Sequence, residues 1–219
     1  VGYRYFETFN KEKVLFPFGF GLTYTTFKQE FVSAELNNDE VTLQVKVTNT
    51  GNFKCKDVVE VYVNAPQGKL GKAEKVLVGF NKTKELSSDE SEIITITFPL
   101  YYCASYDDSG KTDNKSCYVL EEGIYNIFVG NNVRDAVNVW NFTVENLKII
   151  NTLSEVCAPK NKFQRMITGF EKAQKMFTED VDNTYKHIVG RVKILKEKRE
   201  AEEAEEKRQE EQAKADEER

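Results

Sequence analysis

Acidic side chains are plentiful in this chain, and they are the residues whose type could support catalysis. The 219 residues include 36 Asp and Glu against 31 Lys and Arg. Two carboxylates can act together as a general acid and a base, but they also need a pocket that perturbs their pKa values. No motif places two acids together against apolar neighbours. The sequence therefore predicts no catalytic residue.

Two adjacent carboxylates lie in the polar stretch at residues 106–110, which reads Tyr-Asp-Asp-Ser-Gly. A functional interpretation makes this stretch a calcium-binding or sugar-contacting loop. The alternating acids of a calcium loop are missing, however, and such a run of polar residues is typical of an exposed turn. We expect a solvent-exposed turn without a ligand.

Histidine and cysteine give little support for other chemistry. His187 is the single histidine and has no Ser or Cys nucleophile motif, so the sequence does not indicate a catalytic triad. The four cysteines lack the CxxC spacing of zinc sites. Cys103 and Cys117 flank a polar loop, and a bridge between them is one alternative in an oxidising compartment, with free thiols the state that we favour. We predict no metal site and no cofactor.

Charge and hydropathy limit the classes of partner. The net charge is −5 and no basic patch is visible, so we expect no nucleic-acid partner. No apolar run approaches the length that spans a bilayer, so we expect no membrane partner, and the sequence shows no signal peptide. The localisation stays open, with the cytoplasm favoured over secretion.

Strands are the elements that must position these residues. Val41, Leu43, Val45 and Val47 alternate with polar residues, which places four aliphatic side chains on one face of a strand. Similar alternation recurs at residues 59–63, 94–98, 125–129 and 140–144, and the apolar stretch at residues 75–80 adds a further strand. About seven short strands separated by Gly, Pro and Asn turns predict an antiparallel β-sandwich.

The C-terminal part of the chain has a helical pattern instead. Apolar side chains recur at intervals of three and four residues, at Phe170, Ala173, Phe177, Val181, Thr184, Ile188, Val192 and Leu195. Beyond this stripe the sequence is highly charged and lacks the apolar seam of a coiled coil. We expect a charged helical tail at residues 166–219, which is a possible binding site for a protein partner.

Aromatic residues cluster before the first strand, in the segment FPFGFGLTYTTF at residues 16–27. Its glycines and its proline predict an ordered turn held by aromatic packing at a domain junction. An aromatic edge of the hydrophobic core, with no role in a ligand site, is the alternative. Upstream, Tyr3, Tyr5 and Phe9 predict one buried face, so the first thirty residues lie against the sandwich or are partly disordered in isolation. The candidate junction residues are Phe16, Pro17, Phe18, Gly19, Phe20, Gly21, Tyr24 and Phe27.

The opening VGYRYFETFNKEKVLFPFGFGLTYTTF resembles the end of the α/β sandwich domain of glycoside hydrolase family 3, the β-glucosidase family. The segments VTLQVKVTNTGNFKCKDVVEVYV, KVLVGFNKTKEL and LEEGIYNIFVG resemble its fibronectin type III-like domain. The resemblance runs from residue 1 to about residue 159. It implies a mainly β protein, a fibronectin III/immunoglobulin-like antiparallel β-sandwich followed by a long C-terminal helical extension. The implied domains are the end of the α/β sandwich domain with the junction at 1–27, the fibronectin-like sandwich at 28–146, a connector at 147–165 and the tail.

The same resemblance implies a function for the module. In this family the nucleophilic aspartate belongs to the catalytic barrel and the acid/base glutamate to the α/β sandwich upstream of this segment, and neither motif occurs here. We therefore expect a non-catalytic structural module whose partners are the barrel and the α/β sandwich of the parent glycosidase. One alternative is a stand-alone interaction protein that uses the sandwich and the charged helix. Another is a carbohydrate-binding module in which Tyr101, Tyr102 and Tyr106 stack on sugar rings.

Overall fold

The computed structural model describes residues 1–158 and residue 161. The predicted helical tail, with its apolar stripe and His187, lies outside the described residues. Within them the chain forms one α-helix, two short 3₁₀ helices at Lys11–Lys13 and Leu100–Cys103, and ten strands. The helix is α1 Tyr3–Phe9, and the strands are β1 Phe27–Asn37, β2 Glu40–Asn49, β3 Val58–Asn64, β4 Val76–Lys82, β5 Ser91–Pro99, β6 Ser105–Asp107, β7 Cys117–Leu120, β8 Gly123–Gly130, β9 Val137–Val144 and β10 Lys148–Thr152.

The strands form three antiparallel sheets in the described part of the chain. One sheet has the order β1-β2-β5 and another has the order β4-β3-β8-β9. These two sheets enclose the main hydrophobic core between them. The third sheet has the order β10-β7-β6. The mainly β, antiparallel architecture expected from the alternating pattern is confirmed.

The main core is built from the residues that alternate in the sequence. Val41, Leu43, Val45 and Val47 of β2 are all fully buried, as expected for one face of a strand that packs on a second sheet. Side chains of β5 lie beside them in the same sheet, and side chains of β3 and β8 fill the opposite side. The ring of Tyr125 stacks on Phe142 with 5.0 Å between centroids. Because β2 is paired on both edges, its register is fixed by β1 and β5 together.

The third sheet was not expected from the sequence. Strand β10 lies inside residues 147–165, which the sequence assigns to a connector, and β6 lies inside the stretch assigned to a polar loop. Both strands pair with β7, which is only four residues long. Strands of three to five residues carry too few alternations for a period of two to be visible, so their pairing depends on tertiary context.

Asp107 overturns the expectation of a solvent-exposed turn at residues 106–110. Its side chain is fully buried at the end of β6. Oδ1 accepts hydrogen bonds from the N–H groups of Ser109, Gly110 and Lys111, and Oδ2 accepts from the N–H and the hydroxyl of Thr112. Burial by itself would raise the pKa of Asp107, but these hydrogen bonds outweigh it and lower the pKa to about 2. The carboxylate therefore organises the loop from within.

The four cysteines are free thiols in this structure. Cys103 lies in the main core, where burial raises the pKa of its thiol to about 12. Cys117 packs in a separate small cluster with Leu70 and Val119. At neutral pH the Cys103 thiol is therefore protonated and a poor nucleophile.

The Asp107 loop makes the stability of the sandwich depend on pH. The pKa of Asp107 falls from an ordinary value of 3.8 to about 2 on folding, so its contribution is complete above pH 4 and is lost as the pH falls through 2. The shift corresponds to about 2 kcal/mol. In urea unfolding from pH 7 to pH 2, Asp107→Asn should be less stable at neutral pH and lose less stability on acidification. Asp113→Asn, at an exposed carboxylate, is the control for loss of one negative charge, and equal acid slopes in all three proteins would contradict this role.

Candidate domain interface

Helix α1 lies on the outer face of the four-stranded sheet. Tyr62 of β3 points away from the main core and is fully buried in a second cluster with Val133 and Ala136. The ring of Tyr3 meets Tyr62 edge-on at 6.3 Å, and Leu77 N–H donates a 2.8 Å hydrogen bond to Tyr3 Oη. Leu77 lies where the β3–β4 ladder shifts register. The N-terminal segment thus covers an apolar face and supplies a hydrogen-bond acceptor there.

A buried ion pair fixes the other side of α1. Glu7 is only 3% exposed, and Arg134 Nε donates to both of its carboxylate oxygens at 3.1 Å. A second guanidinium nitrogen of Arg134 donates to the carbonyl of Lys11 at 2.7 Å. This arrangement meets the two conditions for a buried charge, which are an opposite charge and hydrogen bonds to it.

A cavity of about 180 Å³ lies beside this pair. Its charged groups are engaged in packing contacts: Lys11 pairs with Glu74 at 2.7 Å, and Lys75 Nζ donates to the carbonyls of Val133 and Ala136. Burial lowers the pKa of Lys75. The cavity therefore holds the N-terminal segment against the sandwich and lacks two converging free carboxylates. It is lined by Glu7, Lys11, Glu74, Lys75, Val133 and Arg134.

A tight turn fixes the start of the junction, residues 16–27. Phe18 stacks on Tyr3 with 4.5 Å between centroids, and its carbonyl accepts a 3.0 Å hydrogen bond from Val133 N–H. Gly19 has a φ of +87°, and a Cβ at this position would lie 2.3 Å from Glu60 Oε2 and 2.8 Å from the carbonyl oxygen of Asn131. Only glycine fits both the backbone angle and the space.

Asn49 fixes the end of the junction. Its fully buried side chain accepts from the hydroxyl of Thr25 at 2.7 Å and from the N–H of Gly51 at 3.1 Å. The amide nitrogen donates to the carbonyls of Phe53 and Leu86, both at 2.8 Å. One buried amide therefore joins the junction to the loop after β2 and to the turn before β5, with four hydrogen bonds.

Around the Gly19 turn and before Thr25 the chain exposes a set of large apolar side chains, which we call the junction patch. Phe16 is 68% exposed, Leu22 93% and Tyr24 91%. The rings of Phe16 and Phe20 contact each other, with 5.0 Å between their centroids. Exposed apolar patches on an ordered backbone are typical of interaction sites. The patch consists of Leu15, Phe16, Phe20, Leu22 and Tyr24.

The predicted junction residues fall into two groups. Phe18, Gly19 and Phe27 anchor the segment, the last by packing against the main core. Pro17 contributes its carbonyl to the turn, which accepts from Phe20 N–H at 3.0 Å. Phe16, Phe20 and Tyr24 are exposed, and a Cβ added to Gly21 would have no neighbouring atom within 4 Å. Aromatic packing thus holds only part of the segment.

Two carboxylates beneath the turn support it. Burial raises the pKa of Asp57 and of Glu60, and their hydrogen bonds offset only part of that effect. Asp57 accepts from the side-chain amides of Gln29 and Asn131, both at 2.8 Å, and Glu60 accepts from the hydroxyl of Tyr62. Asp57 thus links β1 to the residue after β8, and Glu60 is held within β3 by Tyr62.

Sequence reasoning missed the residues that fix this segment. Glu7, Arg134 and Asn49 do not stand out in a chain with many acids, bases and asparagines. Glu7 and Arg134 are separated by 127 residues, so no local sequence pattern reveals their pairing.

Neither a metal cluster nor a helical membrane span is found among the described residues. These residues contain no group of three or more His, Cys, Asp or Glu that could hold a metal ion. None of their helices has the length and apolar character of a membrane span.

Comparison with known proteins gives the family context of this arrangement. Residues 57–133 match the model of the fibronectin type III-like domain. A β-glucosidase from Ruminococcus albus is 46% identical over 173 residues, which cover 78% of this chain and 18% of that protein. A solved β-glucosidase structure from Paenibacillus barengoltzii superimposes with a TM-score of 0.73 at 45% identity, covering 76% of this chain and 19% of that chain.

The chain carries the fibronectin type III-like domain of the family 3 β-glucosidases. β-Glucosidase A from Butyrivibrio fibrisolvens extends the similarity, with 41% identity over 216 residues that cover 90% of this chain and 26% of that protein. The chain thus spans between about a fifth and a quarter of the length of these curated relatives. Residues 141–201 also match a model described as the Cdc37 Hsp90 binding domain, of which residues 141–158 are described and include β10.

The turn at Gly19 predicts a sharp difference between two neighbouring glycines. Gly19→Ala should lower the free energy of unfolding by about 2 kcal/mol, because alanine meets both the strained φ and the contacts with Glu60 and Asn131. Gly21→Ala is the matched control, since Gly21 has open space and an ordinary φ. Urea unfolding of the chain measures both, and equal effects would show that the turn does not hold the segment.

The buried pair predicts a second difference. Arg134→Ala leaves Glu7 charged, buried and without its cation, so the free energy of unfolding should fall by about 3 kcal/mol. Lys54→Ala removes an ion pair with Glu85 whose side chains are both more than half exposed, and should change it by less than about 0.5 kcal/mol. The two variants are compared by thermal and urea unfolding. A loss for Arg134→Ala no larger than that of the control would rule out a stabilising role for the pair.

Proposed function

We propose that this chain is a non-catalytic structural module that stabilises the catalytic domains of a family 3 β-glucosidase-like parent protein. The observation that carries the proposal is the junction patch, a set of exposed apolar side chains on a backbone fixed at both ends. The barrel and α/β sandwich domains of the parent are the proposed partners. Hydrolysis of β-glucosidic bonds is the proposed activity of the parent.

The anchored geometry favours docking over a flexible tether. A segment that is ordered before binding loses little conformational entropy when it meets a partner. Phe16, Phe20 and Tyr24 are of the aromatic type that supplies much of the binding free energy in protein interfaces. Covering a large apolar side chain contributes about 1.5–3 kcal/mol, so even part of the patch could hold two domains together.

The distribution of carboxylates supports a non-catalytic role. Glycoside hydrolysis in most families uses two carboxyl groups on either side of the scissile bond. Among the described residues the buried acids Glu7, Asp57, Asp107 and Glu121 all accept internal hydrogen bonds. They support the sandwich and its N-terminal segment, and the proposal places the catalytic pair elsewhere in the parent protein.

A second candidate is a protein-interaction role for the C-terminal residues, as in a stand-alone interaction protein. The match of residues 141–201 to the Cdc37 Hsp90 binding domain favours it. The Butyrivibrio relative limits its weight, because a match over 90% of a 219-residue chain must extend well past residue 158. The same C-terminal residues are thus also similar to part of a β-glucosidase, and we favour the structural module.

Surface substitutions in the parent protein test the proposal. The triple variant Phe16→Ser, Leu22→Ser and Tyr24→Ser should lower the thermal stability of the parent, by on the order of 3 kcal/mol, and reduce β-glucosidase activity with it. In the isolated 219-residue chain the same changes should leave stability unchanged, because these side chains are exposed there.

The control places the same kind of change elsewhere on the sandwich. Phe80→Ser with Ile93→Ser alters two side chains that are 68% and 56% exposed on β4 and β5. This pair should leave the parent's stability and activity near those of the unaltered protein. Docking through the junction patch would be contradicted if the triple variant and the control pair changed the parent's stability and activity equally, whether both lowered them or neither did.

A further inference from the structure

The third sheet presents an uncharged polar and aromatic row on its outer face. In β7, Cys117 and Val119 are buried, so the intervening Tyr118 points to the opposite face. The register places Tyr106 of β6 directly opposite Tyr118 on one side and Asn151 of β10 opposite it on the other. Directly opposed residues share a face of a sheet, so two tyrosines and one carboxamide form a row across three strands.

Two more tyrosines extend this row. Tyr101 and Tyr102 come from the 3₁₀ helix Leu100–Cys103 and are 38% and 55% exposed. The centroid of Tyr101 lies 4.8 Å from that of Tyr118, and those of Tyr106 and Tyr118 are 5.2 Å apart. A hydrogen bond between the hydroxyls of Tyr101 and Tyr118 raises the pKa of Tyr101 and links the 3₁₀ helix to the sheet. We call Tyr101, Tyr102, Tyr106, Tyr118 and Asn151 the tyrosine row.

The chemistry of the row fits a neutral ligand with both apolar and hydroxyl surfaces. Phenol rings offer apolar faces, and phenol hydroxyls and the Asn151 amide offer donors and acceptors without charge. Lys148 of β10 pairs with Asp39, whose carbonyl accepts a 2.8 Å hydrogen bond from Leu100 N–H beside Tyr101. A charged ligand would find no unpaired counter-ion in this pair. Pyranose rings have C–H faces that stack on aromatic rings and hydroxyls that need hydrogen-bond partners.

We propose that the tyrosine row is a binding surface for a single, soluble β-glucan chain. The choice of sugar rests on the proposed function, since the parent would act on β-glucosides, whereas the preference for a neutral polyhydroxylated ligand comes from the row itself. The rings stack on successive sugar units and Asn151 hydrogen-bonds their hydroxyls. The module then holds substrate chains near the parent enzyme in addition to stabilising it.

Ring orientation selects a free chain over a crystalline surface. The plane of Tyr118 is tilted by 54° to that of Tyr101 and by 47° to that of Tyr106, and Tyr101 and Tyr102 are tilted by 60°. A flat crystalline face needs coplanar rings, because all its sugar units lie in one plane. A soluble chain can twist to meet rings of different orientation.

Affinity electrophoresis of the full 219-residue chain tests the proposal, with hydroxyethylcellulose as the soluble β-glucan in the gel. The unaltered chain should be retarded, and Tyr101→Ala with Tyr102→Ala should weaken binding at least tenfold. Tyr118→Phe keeps the ring and should retain most of the retardation. Phe80→Ala, which removes an exposed aromatic ring of β4 that is not part of the row, should bind like the unaltered chain. Sedimentation with microcrystalline cellulose should leave the chain in solution.

Each result has a defined meaning. No retardation of the unaltered chain, or equal weakening by Phe80→Ala, would overturn the proposal. The proposal would also be overturned if the double variant kept the melting temperature of the unaltered chain and still bound the glucan as tightly. If the double variant is unstable, Tyr102→Ala alone serves as the test variant. Glucan binding by the chain but not by the parent would mean that another domain covers the row, which also overturns it. None of these outcomes changes the stability of junction-patch variants, so the proposed stabilising function is tested independently.

Discussion

The attachment of Tyr3 to the outer face of the four-stranded sheet is the contact on which the arrangement of the N-terminal segment depends. The Tyr3 ring packs between Phe18 and Tyr62, and its hydroxyl accepts the N–H of Leu77 where the β3–β4 ladder shifts register. A buried N–H without an acceptor costs about 1–3 kcal/mol, so this hydroxyl matters beyond the apolar contact. The turn at Gly19 and the ion pair of Glu7 with Arg134 lie on the same outer face as Tyr3.

This attachment explains why the exposed part of the junction is ordered. Phe18 and Gly19 fix its start, and the buried Asn49 amide fixes its end through Thr25. The outer face of the sheet is covered by α1, and the two sheets close the main core. Phe16, Leu22 and Tyr24 remain exposed. A module held this way can act as a rigid support for neighbouring domains.

The parts of the fold that sequence reasoning predicted are those governed by local periodicity. Strands β2, β3, β5, β8 and β9 show a regular alternation because one face of each meets the core, and the antiparallel sandwich follows from them. Asp107 was wrongly expected to be exposed, because a polar turn around a buried carboxylate has the same composition as one in solvent. The third sheet and the ion pair of Glu7 with Arg134 depend on contacts between residues far apart in the sequence. A single sequence without its relatives does not reveal such contacts.

Composition identified the segment of the candidate interface, but it did not show how that segment packs. The aromatics, glycines and proline at residues 16–27 drew attention to the segment, yet which rings anchor it depends on the outer face of a sheet formed far along the chain. The two glycines of the segment differ in a way that composition does not show. Gly19 and Gly21 are equivalent in the sequence, but only Gly19 adopts a left-handed backbone against neighbouring atoms.

The central claim is that the junction patch becomes buried against the catalytic domains of the parent protein. Amide hydrogen exchange of residues 15–24 tests this most directly, measured in the 219-residue chain alone and in the full-length parent, with β2 amides as the internal reference. If the junction patch is buried there, exchange at residues 15–24 should slow at least tenfold in the parent while the β2 amides change little. Equal exchange of residues 15–24 in both proteins would contradict it.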